Sequence, residues 1–521
     1  RRLRLSHRPG GRAQRTVNFA REAHLHDLQA GFLHTVKNLW NPTREVRRMY
    51  SGEVNHETIT GIFEGAADFI VRRLCCNGVK LYAYAIDGLT SGADTSEYVI
   101  RPITDNLTGS TPAALYEEAL LGNVYNSVAD PCKDLDTVAR KLVNGFCVVL
   151  FPGAGAIAFE VKTGEKRGIS APEVENTVKG PKDAFVETVR SNTSLIRRHL
   201  RTPALRLWET QVGRRSLTNV TVAYVDGLTD LRLVERMQHR LEKIDVDGFL
   251  APSAVEEYVT GSRKTAFPLI QYTERADKFC AGLLEGRVGL LVDGLPLGYL
   301  APADLGYLME SPEDWSRDYL SASFLRILRY GALTLGLLLP GLYIALAVFH
   351  QEMIPLPLLR AIVESKKDVP FSTAAEVVSL LLAFELLQES GIHLPQAVGQ
   401  SVSTIGGIVV GTAAVDAGLV SPAALIAVSI AGVCGFVLPN RDLAEALRLW
   451  RLGFALVAVA GLFGLTAGFI VLVGHLAGLQ CLEVPYLAPF HKGRANVLRD
   501  RMVTDKFRDP LLHPEDRRKQ V

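Results

Sequence analysis

Apolar and polar positions follow different patterns on the two sides of residue 331. Before it, short apolar runs of strand length alternate with charged stretches that have helical spacing. After it, the stretch 331–490 contains only six Lys or Arg residues in 160 positions. Since about 20 apolar residues cross a hydrocarbon core, this second pattern predicts membrane helices. We therefore expect an α/β soluble N-terminal region with two related α/β subdomains, followed by an all-α polytopic membrane domain.

In the soluble region, a strand-like apolar run ends in Asp-Gly-Leu three times, after Leu81–Ile86, Val220–Val225 and Gly289–Val292. Asp-Gly suits a tight turn because glycine adopts positive φ without steric cost. The first two copies predict equivalent edges of two related units, and the third predicts a hairpin. Helices are predicted over Asp183–Leu200 and after Asp230, which is placed as an N-cap. A metal or phosphate loop is not favoured, because the extra acids or the lysine of such loops are absent.

The predicted units follow from these patterns. They are a basic, partly disordered arm (1–55), a first α/β subdomain (56–170), a second α/β subdomain (171–310), a juxtamembrane helix (311–330), a transmembrane domain (331–490) and a basic tail (491–521). Ser311-Pro-Glu-Asp314 has the spacing of a capping box with Pro at the first helical position. The arginines that follow it, Arg326 and Arg329, suit the headgroup layer, so this helix is expected to lead the chain into the membrane.

Five apolar segments are predicted within the membrane domain, at 331–349, 374–388, 397–415, 421–438 and 453–478. Two acids, Glu376 and Glu385, lie in the second. An acid at membrane depth costs roughly 2.5–3.5 kcal/mol on insertion scales, so it normally faces the protein interior or water. The alternative is an amphipathic helix at the interface. Basic residues at both ends favour two cytoplasmic termini and an even number of crossings, so one middle segment is expected to be re-entrant or interfacial.

The third apolar segment carries two stripes at helical spacing. The small residues Gly399, Ser403, Gly407 and Gly411 form one stripe, and Gln400, Thr404, Ile408, Thr412 and Asp416 form the other. Small residues allow close helix packing, whereas packing alone does not account for the polar stripe. We therefore predict a pore-lining helix, with Gln400, Thr404, Thr412 and Asp416 along the path and Val409 or Val410 at a constriction.

Composition limits the remaining function classes. The formal net charge is +2, which does not favour a nucleic-acid binder. The seven cysteines show neither CxxC pairs nor metal-ligand spacing, so reduced thiols are expected. Because the sequence contains no nucleophile elbow, HExxH or kinase motif, we expect neither an enzyme nor a bound cofactor.

Several ordered motifs resemble the A subunit of GerA-family spore germinant receptors. A hallmark follows the first span: His350, Gln351, Glu352, Met353, Ile354 and Pro355. Other motifs match in order: Val178–Lys182, Val212–Ser216, Asp245–Gly248, Glu285–Val288, Ser311–Asp314, Val369–Phe371, Val398–Gln400, Val420–Pro422, Leu438–Asn440 and Val484–Phe490. Ser372 and Leu438 depart from the family pattern, which usually has Pro and Ile there.

The resemblance implies a nutrient-receptor subunit in the inner membrane of a bacterial spore, with its N-terminal domain in the cytoplasm. It implies two partners, a transporter-like B subunit and a lipoprotein C subunit, and self-association into a ring that forms a nutrient-gated channel for monovalent cations. The alternatives are a related stage-V sporulation A-type channel protein, a membrane protein that binds or moves the nutrient itself, and a non-conducting membrane scaffold.

Overall fold

Two five-stranded sheets of identical topology form the soluble region. The computed structural model describes residues 50, 52–163, 172, 175, 177, 179–248, 252–261, 265–392 and 409–488. The first sheet has the order β1-β2-β4-β5-β3, with strands Phe69–Cys76, Val79–Ile86, Ala129–Cys132, Phe146–Phe151 and Gly155–Glu160 numbered along the chain. The second has the order β6-β7-β9-β10-β8, with strands Leu205–Val212, Thr218–Val225, Gln271–Thr273, Val288–Val292 and Gly298–Ala301. The α/β soluble region with two related units is thereby confirmed.

All neighbouring strands pair antiparallel, and the Asp-Gly turns lie where the sequence predicts them. The first two copies follow β2 and β7, which occupy equivalent positions in the two sheets. The third connects β9 to β10, whose register pairs Leu291 with Gly298, so the predicted hairpin is confirmed. Gly88, Gly227 and Gly294 all adopt positive φ, the region that glycine enters without strain.

Helices cover both sheets, and several have the caps that their sequences indicate. The soluble-region helices are α1 His56–Ile62, α2 Gly92–Thr95, α3 Arg101–Asp105, α4 Pro112–Glu118, α5 Leu135–Leu142, α6 Val189–His199, α7 Leu231–Glu242, α8 Pro252–Thr260, α9 Ala276–Leu284 and α10 Leu305–Leu308, and π-helical turns continue α2 at Ser96–Ile100 and α4 at Ala119–Asn123. Asp230 caps α7 as predicted by accepting a hydrogen bond from the Arg232 N–H. The helix predicted over Asp183–Leu200 begins only at Val189, because the backbone at Ala184 bridges to Arg275 instead.

A helical bundle follows the soluble region. Its helices are α11 Tyr319–Phe349, α12 Leu356–Ser365, α13 Thr373–Ile392, α14 Ala414–Asp416, α15 Pro422–Phe436, α16 Arg441–Val457 and α17 Gly461–Gly478, with a final hairpin of β11 Gln480–Cys481 and β12 Val484–Pro485. Among the described residues, Tyr319–Phe349 and the helical stretch Arg441–Gly478 are long and apolar enough to cross a membrane. Helix α11 is continuous across residue 330, the predicted division between the juxtamembrane helix and the transmembrane domain.

The apolar run predicted over 453–478 is not one helix. A 3₁₀ turn at Ala458–Ala460 and Gly461 at φ +70° separate α16 from α17. The rings of Trp450 and His475 lie 5.6 Å apart, although a straight helix would separate the two residues by roughly 37 Å. The two helices therefore form an antiparallel hairpin, and α16, whose charged first half concealed it in the sequence, runs the length of the bundle.

This hairpin replaces the last of the five predicted segments with two helices. Helix α11 begins at the soluble region, and its last residue approaches Gly461. Asn440, just before α16, contacts the soluble region again through Gln271. Gly418 lies beside Asp368 at the far end of the bundle. Helix α13 starts near that end and is 20 residues long, so Ile392 lies about 30 Å away at the near end. Leu482, which follows α17, accepts a hydrogen bond from Arg236 of α7, so both chain ends of the bundle meet the soluble region.

Candidate functional site

The predicted pore-lining segment is described only from residue 409 onward. Gly399, Gln400, Ser403, Thr404 and Gly407 lie outside the described residues. The backbone of Val409 and Val410 opens a π-helical turn, Val409–Ala413, which leads into the short helix α14. Thr412 and Asp416, four residues apart, are exposed, whereas Gly411 is half-buried, and a Cβ atom added there would lie 4.0 Å from a side-chain carbon of Leu425. π-helical turns occur often at functional sites, and the sequence pattern did not predict this one.

Glu376 is fully buried and supports the start of α15. One oxygen of its carboxylate accepts hydrogen bonds from the backbone N–H and the hydroxyl of Ser421, the N-cap residue of α15. The negative charge thus lies at the positive end of the helix dipole. Of the two predicted environments, interior or interface, the structure supports the interior, because Val377, Leu380 and Leu381 of the same helix are also buried.

Glu385, two turns further along α13, forms an ion pair within the bundle. Its carboxylate accepts a hydrogen bond of 2.8 Å from Arg451 of α16, and Arg448 lies 3.8 Å away. Arg451 is almost completely buried. An uncompensated charge in that position would be costly, so Glu376 and Glu385 of α13 each have a dipolar or neutralising partner on another helix.

The family motif His350–Pro355 forms the turn that ends α11. Gln351 donates a hydrogen bond of 2.9 Å to the carbonyl of Ala347 and thereby caps the last turn of the helix. A Cβ atom at Gly461 would lie 3.0 Å from the His350 ring. The motif therefore packs against the α16–α17 turn, where the positive φ and the close ring both require glycine.

The capping box Ser311–Asp314 has a second role beyond the predicted one. It caps a 3₁₀ turn at Pro312–Ser316 rather than a long helix, and Asp314 is completely buried. Its two oxygens accept hydrogen bonds of 2.6 and 2.8 Å from the two terminal nitrogens of Arg329. A fork-to-fork pair of this kind is strong and geometrically specific.

Arg326 completes this cluster, lying 3.3 Å from Glu310 and 3.8 Å from Asp314. Arg326 and Arg329, which the sequence predicts for the headgroup layer, both have acidic partners within the protein. Both are buried against the acids that precede α11. We call Glu310, Asp314, Arg326 and Arg329 the junction cluster.

The soluble region also contacts the bundle at the start of α16 and after the end of α17. Asn440, the N-cap of α16, donates a hydrogen bond of 2.8 Å to the buried side chain of Gln271 on β8. Arg236 of α7 donates a hydrogen bond of 2.9 Å to the carbonyl of Leu482 and pairs with Glu483. Together with the junction cluster, these contacts attach the soluble region to α11, α16 and the hairpin after α17.

Sequence patterns missed these partners, although weak signals existed. Arg451 is an arginine within an apolar helical run, and Asp314 is an acid at the third position of a box that Glu usually occupies. Within the described residues, no group of three or more His, Cys, Asp or Glu side chains is arranged to hold a metal ion. The described residues therefore form ion pairs that connect different helices, such as Asp314 with Arg329 and Glu385 with Arg451.

Comparisons with known proteins identify the family. The family model for the Bacillus/Clostridium GerA spore germination protein matches residues 57–519. Spore germination protein KA of Bacillus subtilis (strain 168) is 34% identical over 467 residues, which cover 88% of this chain and 84% of that protein. The uncharacterized membrane protein YfkQ of the same organism is 32% identical over 452 residues, covering 86% of this chain and 88% of its own length.

Among solved structures, the crystal structure of the N-terminal domain of the A subunit of the Bacillus megaterium spore germinant receptor GerK3 is similar to this chain. The two are 25% identical with a TM-score of 0.37, over 47% of this chain and 92% of that one. The family match spans nearly the whole described chain, and it confirms the resemblance that the ordered motifs indicate. The chain belongs to the GerA family of spore germination proteins.

Proposed function

We propose that this chain is the membrane subunit of a nutrient receptor that triggers spore germination, and that copies of it assemble into a nutrient-gated channel for monovalent cations. The proposed partners are a transporter-like B subunit and a lipoprotein C subunit. The proposed location is the spore inner membrane, with the soluble region in the cytoplasm, and no catalytic step is assigned to the chain. The A-subunit relatives and the polar stripe of the 399–416 segment support this assignment.

One structural observation carries the channel proposal. The segment with exposed Thr412 and Asp416 is followed directly by Ser421, whose N–H and hydroxyl are held by the buried carboxylate of Glu376. A polar segment is thus anchored to a helix that packs inside an apolar bundle. Exposed hydroxyl and carboxylate groups at this end of the bundle are suited to contact with water, as at the end of a pore shared between copies.

Gating needs a physical link between the soluble region and this segment, and a ligand shifts an equilibrium only through differential contacts with its two states. The junction cluster and the Gln271–Asn440 hydrogen bond join the soluble region to α11 and α16. Through the Arg451–Glu385 ion pair, α16 is joined to α13, the helix that carries Glu376. A movement of the soluble region is therefore transmitted through paired charges to the anchor of the polar segment.

The test replaces Val409 or Val410 with Ala in full-length protein within spores. A wider constriction predicts release of monovalent cations and germination without nutrient. Val433→Ala is the matched control, because Val433 is an exposed valine of α15 outside the proposed path. Wild-type cation retention in both Val409→Ala and Val410→Ala spores would refute the gate.

Asp416→Asn separates the channel from the scaffold alternative. A channel wall that loses this charge should conduct cations more slowly, so nutrient-triggered cation release is expected to slow. A non-conducting scaffold instead predicts unchanged release in Asp416→Asn spores and complete loss on deletion of the soluble region. Nutrient uptake by liposomes that contain this chain alone would support the transporter alternative.

A further inference from the structure

The far end of the bundle, opposite the soluble region, carries a short helix without a protein core. Every residue of α12 has appreciable exposure, and Leu356, Leu358 and Val363 are each more than half exposed. A ten-residue helix is marginal in water unless an apolar surface covers it. Helix α12 therefore needs an apolar environment that the described part of this chain does not supply.

The depth of α12 follows from the length of α11. Phe349 lies 20 residues after Arg329, whose ion pair fixes the soluble end of the helix. At 1.5 Å per residue the two positions are about 30 Å apart, which equals the thickness of the hydrocarbon core. If the chain spans a membrane as proposed, α12 lies at the opposite membrane interface, where an amphipathic helix rests on acyl chains.

A crevice of about 590 Å³ separates α12 from the end of α11. Its apolar wall includes Ile344, Ala347 and Val348 from α11, and Leu359 and Ile362 from α12. The volume is within the range of roughly 300–1,000 Å³ that is typical of small-molecule sites. The crevice is therefore large enough for a flexible apolar chain.

The charged residues that line the crevice indicate that a molecule bound there has a negatively charged group next to its apolar chain. Two charged residues line it, and both are lysines, Lys366 and Lys367. The acids Glu364 and Asp368 are exposed and do not line the crevice, and Glu376, which interacts electrostatically with Lys366, is buried behind it. Lys366 donates to the hydroxyl of the buried Thr373, another residue of the crevice lining, which holds its ammonium group against the crevice wall. Lysines beside an apolar surface at an interface hold their ammonium groups toward headgroups.

We propose that this crevice is a binding site for one anionic phospholipid, with an acyl chain between α11 and α12 and the headgroup phosphate beside Lys366 and Lys367. The site requires that the chain resides in a membrane, but it does not require that the chain conducts ions. The lipid-binding proposal and the channel proposal are therefore tested by separate assays, and either can be refuted without the other.

The test uses the full chain purified in mild detergent, with titration of phosphatidylglycerol or phosphatidylcholine followed by native mass spectrometry. One phosphatidylglycerol per chain is expected to bind more tightly than phosphatidylcholine. The double variant Lys366→Gln/Lys367→Gln should weaken phosphatidylglycerol binding on the order of tenfold and leave phosphatidylcholine binding unchanged. Arg360→Gln is the matched control, because Arg360 is an exposed cation of the same helix that does not line the crevice.

Ala347→Trp is the second variant. It fills the crevice without altering either lysine, and it should weaken the binding of both lipids. Equal binding of the two lipids with no effect of the double lysine variant would overturn the anionic assignment. Displacement of the lipid by inorganic phosphate at millimolar concentration would reassign the lysines to a free-phosphate site. Absence of bound lipid, together with dissociation of oligomers by Ala347→Trp, would show that a second copy of the chain covers the crevice.

Discussion

Replacing Asp314 with Asn tests whether the junction cluster holds the soluble region to α11. The carboxylate is completely buried and accepts two hydrogen bonds from Arg329 and one of 3.1 Å from the Ser311 N–H. Asparagine has nearly the same shape and retains one oxygen for the Ser311 N–H. It removes the charge that compensates two buried arginines, so the change is electrostatic rather than steric.

The expected magnitude follows from burial. Removing one partner of a buried ion pair costs about 3–5 kcal/mol, because the other charge remains desolvated and unpaired. Asparagine keeps some of the hydrogen bonding, so the lower value of about 3 kcal/mol applies. Since every 1.4 kcal/mol is a factor of ten, the population of molecules with an open junction should rise by about two orders of magnitude.

Hydrogen exchange of the full chain in lipid nanodiscs measures this population directly, because local opening controls amide exchange in the native state. Amides from Ser311 to Arg329 should exchange about 100-fold faster in Asp314→Asn than in wild type. Glu313→Gln is the matched control: Glu313 pairs with Arg317 at 2.8 Å at the surface. Such exposed pairs contribute about 0.2–1 kcal/mol, so exchange there should rise only a few-fold.

An equal, small effect of Asp314→Asn and Glu313→Gln would refute the reasoning, since it would mean that burial does not strengthen the junction. Rapid exchange throughout the chain would also contradict it, because the predicted opening is local. In spores, the same reasoning predicts that Asp314→Asn weakens the response to nutrient while α11 and the rest of the bundle remain assembled.

Three further predictions concern packing, pH and the bundle. Gly289→Ala should lower the stability of the soluble region by about 1–3 kcal/mol in thermal unfolding, because the new methyl would clash with the ring of Phe279. The control Gly61→Ala should not lower the stability, because its methyl would meet no atom within 4 Å. Equal shifts of the melting temperature in the two variants would show that Gly289 is not closely packed against Phe279. Burial raises the pKa of the Cys147 thiol from 9.0 to about 12, so its contribution to stability is complete below pH 9 and is lost as the pH rises toward 12. In urea unfolding between pH 8 and 10.5, the free energy of unfolding should therefore fall less steeply with pH in Cys147→Ala than in wild type. The same slope in both proteins would contradict this role of Cys147. Glu385→Gln should destabilise the bundle by several kcal/mol in detergent melting, because a buried arginine loses its counter-charge; an unchanged melting temperature would contradict that pairing.

Local patterns of the sequence predicted much of the soluble region. Strands β2, β7 and β9 end where Asp-Gly follows an apolar run, because such a run and a tight turn need only neighbouring residues. The cap at Asp230 was predictable for the same reason. The helix over Asp183–Leu200 was predicted too long, because the pairing of Ala184 with Arg275 overrides helical propensity.

The candidate site was less accessible from the sequence. Its acids, Glu376 and Glu385, were identified because charge is unusual within apolar helices. Their partners were not, since Ser421 and Arg451 lie 45 and 66 residues away. Helix α16 was missed because its charged residues resemble a loop, and the structure shows that Arg451 is neutralised by α13.

By itself, the sequence determined the two related soluble units, the Asp-Gly turns, the cap at Asp230 and the GerA family. These depend on hydrophobic periods of two or 3.6 residues and on ordered local motifs. Only the tertiary structure decided that α16 and α17 form a hairpin, that Asp314 pairs with Arg329, and that Arg236 meets Leu482, 246 residues away. The physical reason is that the path of the chain in three dimensions decides which charged side chains come into contact. No local pattern specifies that path across so many residues.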